Sequence, residues 1–517
     1  MNIINKIITA SHKIISKNPF ILNSIKKIIS LCPYLEKKIC NTIDNQNKNV
    51  NDKILLSKTG QEIFDIISSP KFEKKAKNKQ EKDEILTSID NLFENKKISK
   101  EQALKELSTI MSKKYNKKKI ILKNIAQRTA EYLYERKENY IFIELSELAI
   151  NDDKRGICRV CNNIIKYLPS INKYKVLPIH SPQNEFIKYG FRYCSKLAEN
   201  EEKENEEVIE FVKGDILFFP ELSINQNLGK KEYLKFLQKK GIKIIYFIHD
   251  LIPIREQNSV SHEFTDNFLK FINIVLDVAN GAICNSKATA DDLKEYIKEN
   301  RKDRIDDFKI EWIHLGSDFE NNTSSKGIPE DSESLFKAME ARTTFLAVNA
   351  IEARKMYDQI LDAFDILWSE NEDINLVIVG KNAWNTEKLV NKIENHRELN
   401  KRLFKLSTIS DEYLNKIYEK SSALIMASKA EGFGLGIIEA TYHKKPLIIR
   451  DIPVFREIAG ENAFYFNGFE GKELASAIEE WLKLYKEDKH PKSENIKYLT
   501  WKESVSMLNE KLELITK

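Results

Sequence analysis

The sequence predicts an α/β protein made of two successive units with parallel sheets, preceded by a mostly helical region. Three observations lead to this prediction. From residue 140 onward, short runs of β-branched and aromatic residues alternate with amphipathic stretches of helical length, a pattern typical of parallel sheets. The pattern stops at a polar stretch rich in turn formers, residues 316–334, and then starts again. The first 139 residues show helical segments and few strand signals.

The strands of the two units follow one another at regular intervals. In the first unit we predict strands over 140–144, 175–179, 216–219, 243–248, 281–284 and 309–313. In the second we predict 344–348, 375–379, 403–406, 423–427, 446–449 and 463–466, with helices between them, including 358–370 and 411–420. Two doubly wound units predict a cleft between them, with ligands at the carboxyl ends of the strands. The expected domains are 1–139 (helical extension), 140–325 (first lobe), 326–495 (second lobe) and 496–517 (a C-terminal helix that crosses back to the first lobe).

Composition sets the class of protein. The chain has 517 residues, 42% hydrophobic and 31% charged, which suits a soluble globular protein of about three domains. No apolar run reaches the ~18–20 residues needed to span a bilayer, so no transmembrane helix is predicted. Six cysteines in a chain of this length indicate the reducing cytosol rather than a disulfide scaffold. A net charge of +5 gives no reason to expect nucleic acid as a partner.

The N-terminal segment 1–40 carries the strongest basic surplus. Residues 1–35 contain no Asp or Glu, and isoleucines at helical spacing form an apolar stripe beside lysines. Such a helix can lie on an anionic membrane surface, which predicts peripheral attachment to the inner face of the cytoplasmic membrane. The alternative is that the stripe packs against the rest of the protein. A second basic run, 113–119, is interpreted as a solvated lysine-rich turn.

The most informative stretch is Ala427-Ser-Lys-Ala-Glu-Gly-Phe-Gly-Leu-Gly-Ile-Ile-Glu439. The chain has only 16 glycines, and Gly432, Gly434 and Gly436 fall within five residues, between a predicted strand and a predicted helix. Glycines there allow a tight turn and a close approach of the backbone, and the amides at a helix start attract an anion. Glu431 and Glu439 bracket this turn, so they can accept hydrogen bonds from the hydroxyls of one extended ligand.

These residues resemble the donor-binding signature of the retaining, two-lobed (GT-B) glycosyltransferases of family 4, also called glycosyl transferases group 1. The stretch from His443 to Gly460 resembles the continuation of that signature. Four further matches precede this signature, in the family's order along the chain: Ser146-Glu-Leu-Ala149 with Arg155-Gly-Ile-Cys-Arg159, Phe247-Ile-His-Asp-Leu-Ile-Pro-Ile254, Ala282-Ile-Cys-Asn-Ser-Lys-Ala-Thr-Ala290, and Glu352-Ala-Arg-Lys355. The resemblance covers residues 140–517 and extends to bacterial O-antigen and surface-polysaccharide mannosyl- and rhamnosyltransferases.

The resemblance implies a role for each matching residue. Glu439 would hold the ribose hydroxyls of a nucleotide-sugar donor, and Glu431 would lie near the transferred sugar. Backbone amides around Phe433, Gly434 and Leu435 would contact the sugar and diphosphate. Arg354 and Lys355 would neutralise the diphosphate as it leaves. His249 would contact the donor sugar near the reacting centre, and the loop at Gly156 would cover that centre from the first lobe. Lys381, after a predicted strand, is a further candidate for the diphosphate.

No metal and no cofactor is expected, because lysine and arginine can take the place of a metal and the chain contains no Asp-x-Asp sequence. The chain departs from the family at Asn349 and Ala350, which replace a Gly-Thr-like turn, at Ala353, which replaces a proline, and at Met356, where Asn is common. These departures predict a differently shaped diphosphate loop.

Each of these residues also has a simpler alternative interpretation. Glu431 and Glu439 can be solvated helix residues or a glycosidase-like carboxylate pair, and His249 can be an ordinary core histidine. Arg354 and Lys355 can be surface charges that cap a helix, and Lys381 can be solvated. Cys158 and Cys161 have redox or zinc spacing, but no second pair of ligands accompanies them.

The leading hypothesis for function is a retaining, metal-independent hexosyltransferase, with mannosyl from GDP-mannose as the expected unit and a bacterial surface glycan or lipid-linked oligosaccharide as the acceptor. The alternatives are the same fold with dTDP-rhamnose or a UDP-sugar, a catalytically inactive scaffold or partner subunit, and a sugar-nucleotide epimerase.

Overall fold

The computed structural model describes most of the chain from residue 136 to the C-terminus, and these residues belong to one compact unit. The described ranges are 136–150, 156–181, 191–194, 197, 208–318, 325–383 and 386–517. The predicted helical region up to residue 135 lies outside the described residues, together with its basic segment 1–40 and the lysine run 113–119. Arg155 of the predicted first-lobe loop is outside them as well.

The first sheet has seven strands among the described residues, in the order β3-β2-β1-β4-β5-β6-β7. Every neighbouring pair is parallel except β2 with β3, which is antiparallel. The strands are β1 Tyr140–Glu144, β2 Lys175–His180, β3 Arg192–Tyr193, β4 Ile216–Phe219, β5 Lys243–Ile248, β6 Gly281–Cys284 and β7 Lys309–Trp312. The central strand β4 is buried at all four positions, as expected for a parallel strand covered on both faces.

The second sheet has six strands in the described part of the chain, in the order β10-β9-β8-β11-β12-β13, and all of its pairs are parallel. The strands are β8 Thr343–Val348, β9 Ile374–Val379, β10 Leu403–Leu406, β11 Ala423–Met426, β12 Leu447–Arg450 and β13 Phe464–Phe466. We call β1–β7 with their helices the first lobe, and β8–β13 with theirs the second lobe.

Helices fill the connections between strands. In the first lobe they are α1 Ser146–Ile150, α2 Gly156–Ile171, α3 Ile224–Lys239, α4 Ile252–Arg255, α5 His262–Val278 and α6 Lys287–Asn300. In the second lobe they are α7 Ser332–Ala341, α8 Tyr357–Ser369, α9 Glu387–Glu394, α10 Asp411–Lys420, α11 Leu435–Tyr442, α12 Pro453–Ala459 and α13 Gly471–Lys486. Several helices are preceded by a residue whose hydroxyl accepts a hydrogen bond from an amide of the first turn, which stabilises the start of the helix; these residues are Ser261, Ser286, Ser410 and Thr500.

The C-terminal helix α14 Trp501–Thr516 packs on α2 and on the strand β7, both in the first lobe. Lys511 forms an ion pair with Glu311 of β7 at 2.9 Å, and the Ser504 hydroxyl donates to the His314 carbonyl at 2.6 Å. The chain therefore returns to the first lobe after completing the second. None of the helices within the described ranges is long and apolar enough to cross a membrane.

Each sheet has one point where the strand order reverses, and this point sets the place of the site. In the first sheet it lies between β1 and β4, and in the second between β8 and β11. Loops that leave such strands diverge to opposite faces, which opens a crevice at their carboxyl ends. In the second sheet this crevice is bordered by the loop after Val348 and the loop after Met426.

The predicted two-unit α/β fold with parallel sheets is confirmed, with differences at its edges. The short antiparallel strand β3 was not predicted, because two residues are too few to give an alternation signal. The predicted polar boundary, 316–334, extends too far, since α7 begins within it at Ser332.

Candidate active site

The loops at the reversal point of the second sheet bring the carboxylate of Glu431 against two cations. After β8 the chain turns through a short 3₁₀ helix, Ala353–Lys355, and after β11 it reaches Glu431. Glu431 Oε1 accepts a hydrogen bond from Lys355 Nζ, and Oε2 accepts one from Arg354 at 3.0 Å. The Ser428 hydroxyl also donates to Oε1, at 2.8 Å. We call Glu431, Lys355 and Arg354 the charge clamp.

The charge clamp is buried and ionised at its carboxylate. The side chains of Glu431, Lys355 and Arg354 are 10%, 6% and 20% exposed, so the interpretations as solvated or surface charges are wrong. Burial opposes ionisation of Glu431, but Lys355 and Arg354 act together in the opposite direction, and the pKa is lowered to about 2. Burial also lowers the pKa of Lys355. A buried ion pair of this kind is costly to break by removing one partner.

Met356 links the charge clamp to helix α8 in a left-handed conformation, with φ 54° and ψ 42°. This conformation is unfavourable for a long side chain and is tolerated best by Gly, Asn and Asp. The conformation gives a physical reason why Asn suits this position in the resembling family. The loop keeps the left-handed turn with methionine, whose side chain is buried.

Two glycines shape the turn between Glu431 and α11 for different reasons. A Cβ atom on Gly432 would lie 2.1 Å from the His249 carbonyl oxygen, so this position requires the absence of a side chain. Gly434 has φ +100° and precedes the first residue of α11, where only glycine is unstrained. Between them Phe433 is buried and its ring lies 5.6 Å from that of His314. Leu435 begins the helix and is half-buried.

Glu439 lies in the second turn of α11 and contacts a residue of the first lobe. Arg159 of α2 approaches Glu439 Oε1 at 3.6 Å, and the Tyr418 hydroxyl donates to Oε2 at 3.4 Å. Burial raises the pKa of Glu439, while Arg159 acts against this shift. Sequence reasoning chose Gly156 in this loop; the structure places Gly156 exposed at the start of α2, three residues before Arg159.

His249 follows β5 and lies at the junction with the second lobe. Its Nε2 is 2.8 Å from the Pro220 carbonyl oxygen. Since a carbonyl only accepts, Nε2 carries the proton and Nδ1 is left as an acceptor. Burial lowers the pKa of His249 to about 4, so the imidazole is neutral at neutral pH. A neutral ring with one free nitrogen can accept a hydrogen bond from a sugar hydroxyl.

Three acidic residues of the first lobe were missed by sequence reasoning. Asp250 lies close enough to Arg354, Lys355 and Glu431 to feel their charges, although burial raises its pKa. Glu144 and Glu221 lie beneath the reversal point of the first sheet and both accept from the Ser223 hydroxyl, at 3.0 and 3.3 Å. Burial and Glu144 raise the pKa of Glu221 to about 8. Charged residues that end or follow buried strands, as these do, were the available signal.

The remaining predicted residues are placed as follows. Lys381 is exposed at the end of β9, and its carbonyl accepts from Ile351 N at 2.8 Å beside the loop that leads to the charge clamp. Cys158 and Cys161 lie on α2, and neither forms a disulfide. Within the described ranges no group of three or more His, Cys, Asp or Glu side chains is arranged to hold a metal ion.

The two successive parallel-sheet α/β lobes have the GT-B fold of glycosyltransferases. Solved structures with this fold align over most of the chain. The HepE protein of Anabaena, solved with UDP and glucose, has a TM-score of 0.50 and 16% identity, covering 73% of this chain and 100% of that one. The trehalose-6-phosphate synthase OtsA has a TM-score of 0.51 and 10% identity, covering 73% and 99%.

Residues 330–498 match the model of the glycosyl transferases group 1 family, and residues 190–297 match the N-terminal domain of glucosyltransferase 3-like proteins. The serotype-specific mannosyltransferase WbdA of Escherichia coli is 37% identical over 396 residues, which are 76% of this chain and 48% of WbdA. The O-antigen chain mannosyltransferase RfbU of Salmonella typhimurium is 31% identical over 141 residues, 27% of this chain and 38% of RfbU. The chain thus spans about half the length of the WbdA relatives it matches. The resemblance to family 4 and to O-antigen mannosyltransferases is confirmed.

Proposed function

We propose that this chain is a glycosyltransferase that moves a mannosyl unit from GDP-mannose to a growing bacterial surface glycan or its lipid-linked precursor. The observation that carries the proposal is the charge clamp, which holds Lys355 and Arg354 at the carboxyl end of the second sheet. The relatives WbdA and RfbU, both described as mannosyltransferases, support mannosyl as the transferred unit.

The clamp suits the chemistry of departure from a diphosphate. Breaking the bond between the anomeric carbon and the diphosphate oxygen develops negative charge on the leaving group. Lys355 and Arg354 are already oriented by Glu431 before a donor binds, so they stabilise that charge without reorganisation. The start of α11 beside Gly434 adds backbone dipoles of the same sign. Glu431, with a pKa of about 2, remains a carboxylate and does not serve as a proton donor.

Residues of both lobes supply the other groups of the proposed reaction. His249, whose Nε2 is engaged by the Pro220 carbonyl, would accept at its unprotonated Nδ1 from a hydroxyl of the donor sugar. Glu439 would hold the ribose hydroxyls, with Arg159 opposing the rise in its pKa that burial causes. Gly156 and Lys381 would contribute to donor binding from the two edges of the cleft. Retention at the anomeric carbon and independence of metal belong to this proposal.

The decisive experiment is a transfer assay with a panel of nucleotide sugars on the full chain. We expect GDP-mannose to be consumed in the presence of an O-antigen-type acceptor, with an α-linked product by NMR and no loss of rate in excess EDTA. Lys355→Ala serves as the inactive control. If the enzyme preferred dTDP-rhamnose or a UDP-sugar, that nucleotide sugar would replace GDP-mannose as the proposed donor. Donor binding without turnover would indicate a scaffold, and isomerised donor an epimerase. A rate that EDTA abolishes and Mn²⁺ restores would contradict metal independence.

Peripheral membrane attachment through residues 1–40 is a separate part of the proposal, supported by their run of lysines beside an isoleucine stripe. In a flotation assay with anionic liposomes, the full chain should float and a chain without residues 1–40 should not. Equal partitioning of the two would remove this part and leave the transferase proposal intact.

A further inference from the structure

The first turn of α6 in the first lobe binds the carbonyl of Gly432 in the second lobe. The Ser286 hydroxyl, which begins the helix, donates to Gly432 O at 2.7 Å. The Thr289 hydroxyl donates to the same oxygen at 3.2 Å. Both hydroxyls are buried, so this contact excludes water at the junction of the lobes.

The same turn binds a second group of the second lobe, the carboxylate of Glu457 on α12. Glu457 Oε1 accepts from the Lys287 amide at 2.7 Å, and Oε2 accepts from the Ala288 amide at 2.8 Å. These amides are at the start of a helix, where no carbonyl of the helix itself can accept from them. His314 Nε2 lies 2.7 Å from Glu457 Oε1 and completes the contact from the first lobe.

These contacts determine where the charge clamp lies relative to His249. Gly432 is the residue after Glu431, and its Cα faces the His249 carbonyl so closely that no side chain fits. A shift of α6 away from Gly432 would therefore also separate Glu431 from His249. Loss of this contact would therefore change the distance between the two predicted catalytic residues, because Gly432 is adjacent to Glu431 in the chain and lies against the His249 carbonyl.

We infer that residues 286–289 are an interlobe socket that holds the second lobe closed on the first, and that Glu457 is a positioning residue for sugar transfer. The expected effect of the socket on the rate of sugar transfer rests on the proposed function. Glu457 binds the socket and His314, and the predicted donor contacts lie on other residues. Without its carboxylate the second lobe keeps its donor site, but the closed arrangement is less populated because two helix amides lose their acceptor.

The test compares Glu457→Ala with Glu473→Ala in the full chain. Glu473 is a matched control, since its carboxylate accepts from the Glu470 amide at 2.9 Å at the start of α13, within the second lobe alone. For Glu457→Ala we expect a loss in kcat of about tenfold or more, a KM for the donor within about twofold of the wild type, and a larger radius of gyration by small-angle scattering. The control should leave kcat, KM and the radius unchanged.

Ser286→Ala and Ser261→Ala form a second pair. Both serines begin a helix, but only Ser286 donates to Gly432, so only Ser286→Ala should lower kcat and expand the protein. Glu457→Ala with wild-type kcat and radius would overturn the socket. An equal loss of kcat and of GDP affinity, the latter measured by calorimetry, would also overturn the socket, since Glu457 would then support the structure of the donor lobe itself. If the wild type transfers no sugar, the proposed function fails, while scattering alone still decides whether Glu457 holds the lobes together.

Discussion

Replacing Glu431 with glutamine removes the negative charge from the charge clamp while keeping the size and shape of the side chain. The side chain is 10% exposed and its pKa is lowered from 4.5 to about 2 by Lys355 and Arg354, against the opposing effect of burial. A shift of this size corresponds to about 3 kcal/mol of folding free energy at neutral pH. Glu431→Gln should therefore unfold with a free energy about 3 kcal/mol lower than the wild type at pH 7.

The pH dependence of this loss gives the sharper test. Because the folded pKa lies below the unfolded one, the contribution of Glu431 is complete above about pH 4.5 and is lost as the pH falls toward 2. The difference in unfolding free energy between wild type and Glu431→Gln should narrow by about 1 kcal/mol between pH 5.5 and pH 3.5. Urea unfolding of both proteins in parallel measures it, and the other carboxylates cancel in the difference. A difference that stays constant or widens on acidification would refute the reasoning.

Lys355→Met and the double variant with Glu431→Gln complete the experiment. Lys355→Met should lower kcat by about 10²–10³-fold, the usual cost of one preorganised group that stabilises developing charge. It should also lower stability, because a buried carboxylate loses a partner. The double variant should be more stable than the sum of the single losses, since both members of the Lys355–Glu431 pair are neutral and Arg354 keeps Glu352 as a partner, but it should stay inactive. Strict additivity of the two stability losses would show that the pair is not coupled.

Three further predictions follow from the junction of the lobes. Gly432→Ala should lower kcat and stability, since its Cβ would lie 2.1 Å from the His249 oxygen, whereas Gly436→Ala, whose Cβ would meet only Met426 at 3.3 Å, should be close to wild type in the same assays. Arg159→Gln should move the acidic limb of the kcat/KM profile to higher pH, because Arg159 opposes the rise in the pKa of Glu439; an unmoved limb would contradict this. His249→Gln should flatten the fall in stability between pH 6.5 and pH 4, where the folded chain, with a His249 pKa of about 4, binds fewer protons than the unfolded one; urea midpoints across that window measure it, and an unchanged slope would contradict it.

The strands could be predicted from the sequence because most of them are short, apolar and buried on both faces. β1, β4, β5, β6 and β10 begin and end at the predicted residues. β12 is shifted by one residue at both ends, and the remaining predicted strands differ by one residue at one end. Burial on both faces selects continuous runs of Ile, Val, Leu and Phe, which stand out in a chain with 31% charged residues. The edge strand β3 had no such signal.

The site could be predicted only as far as its members are grouped in sequence. The glycine turn and its two glutamates form one continuous segment, so the sequence could predict that they lie close together. The pairing of Glu431 with Lys355 joins residues 76 positions apart, and the contact of Glu457 with the Lys287 amide joins residues 170 positions apart. Such contacts depend on strand order and on how the lobes pack together, and neither can be predicted from the spacing of residues within a short segment. Asp250 was missed for the same reason, because its significance comes from the second-lobe cations that face it.

The arrangement of charge explains why a carboxylate lies between two cations that, in the proposed function, bind a diphosphate. Lys355 and Arg354 would repel each other if buried alone, and burial already lowers the pKa of Lys355. Glu431 offsets that repulsion and fixes both groups, while Glu352 holds the far side of Arg354 at 2.9 Å. The cations are therefore in place before the donor arrives, which is the condition for stabilising charge that develops only in the transition state. Since Gly432 ties this cluster to the first lobe through Ser286, closure of the lobes and orientation of the cations depend on one short segment of backbone.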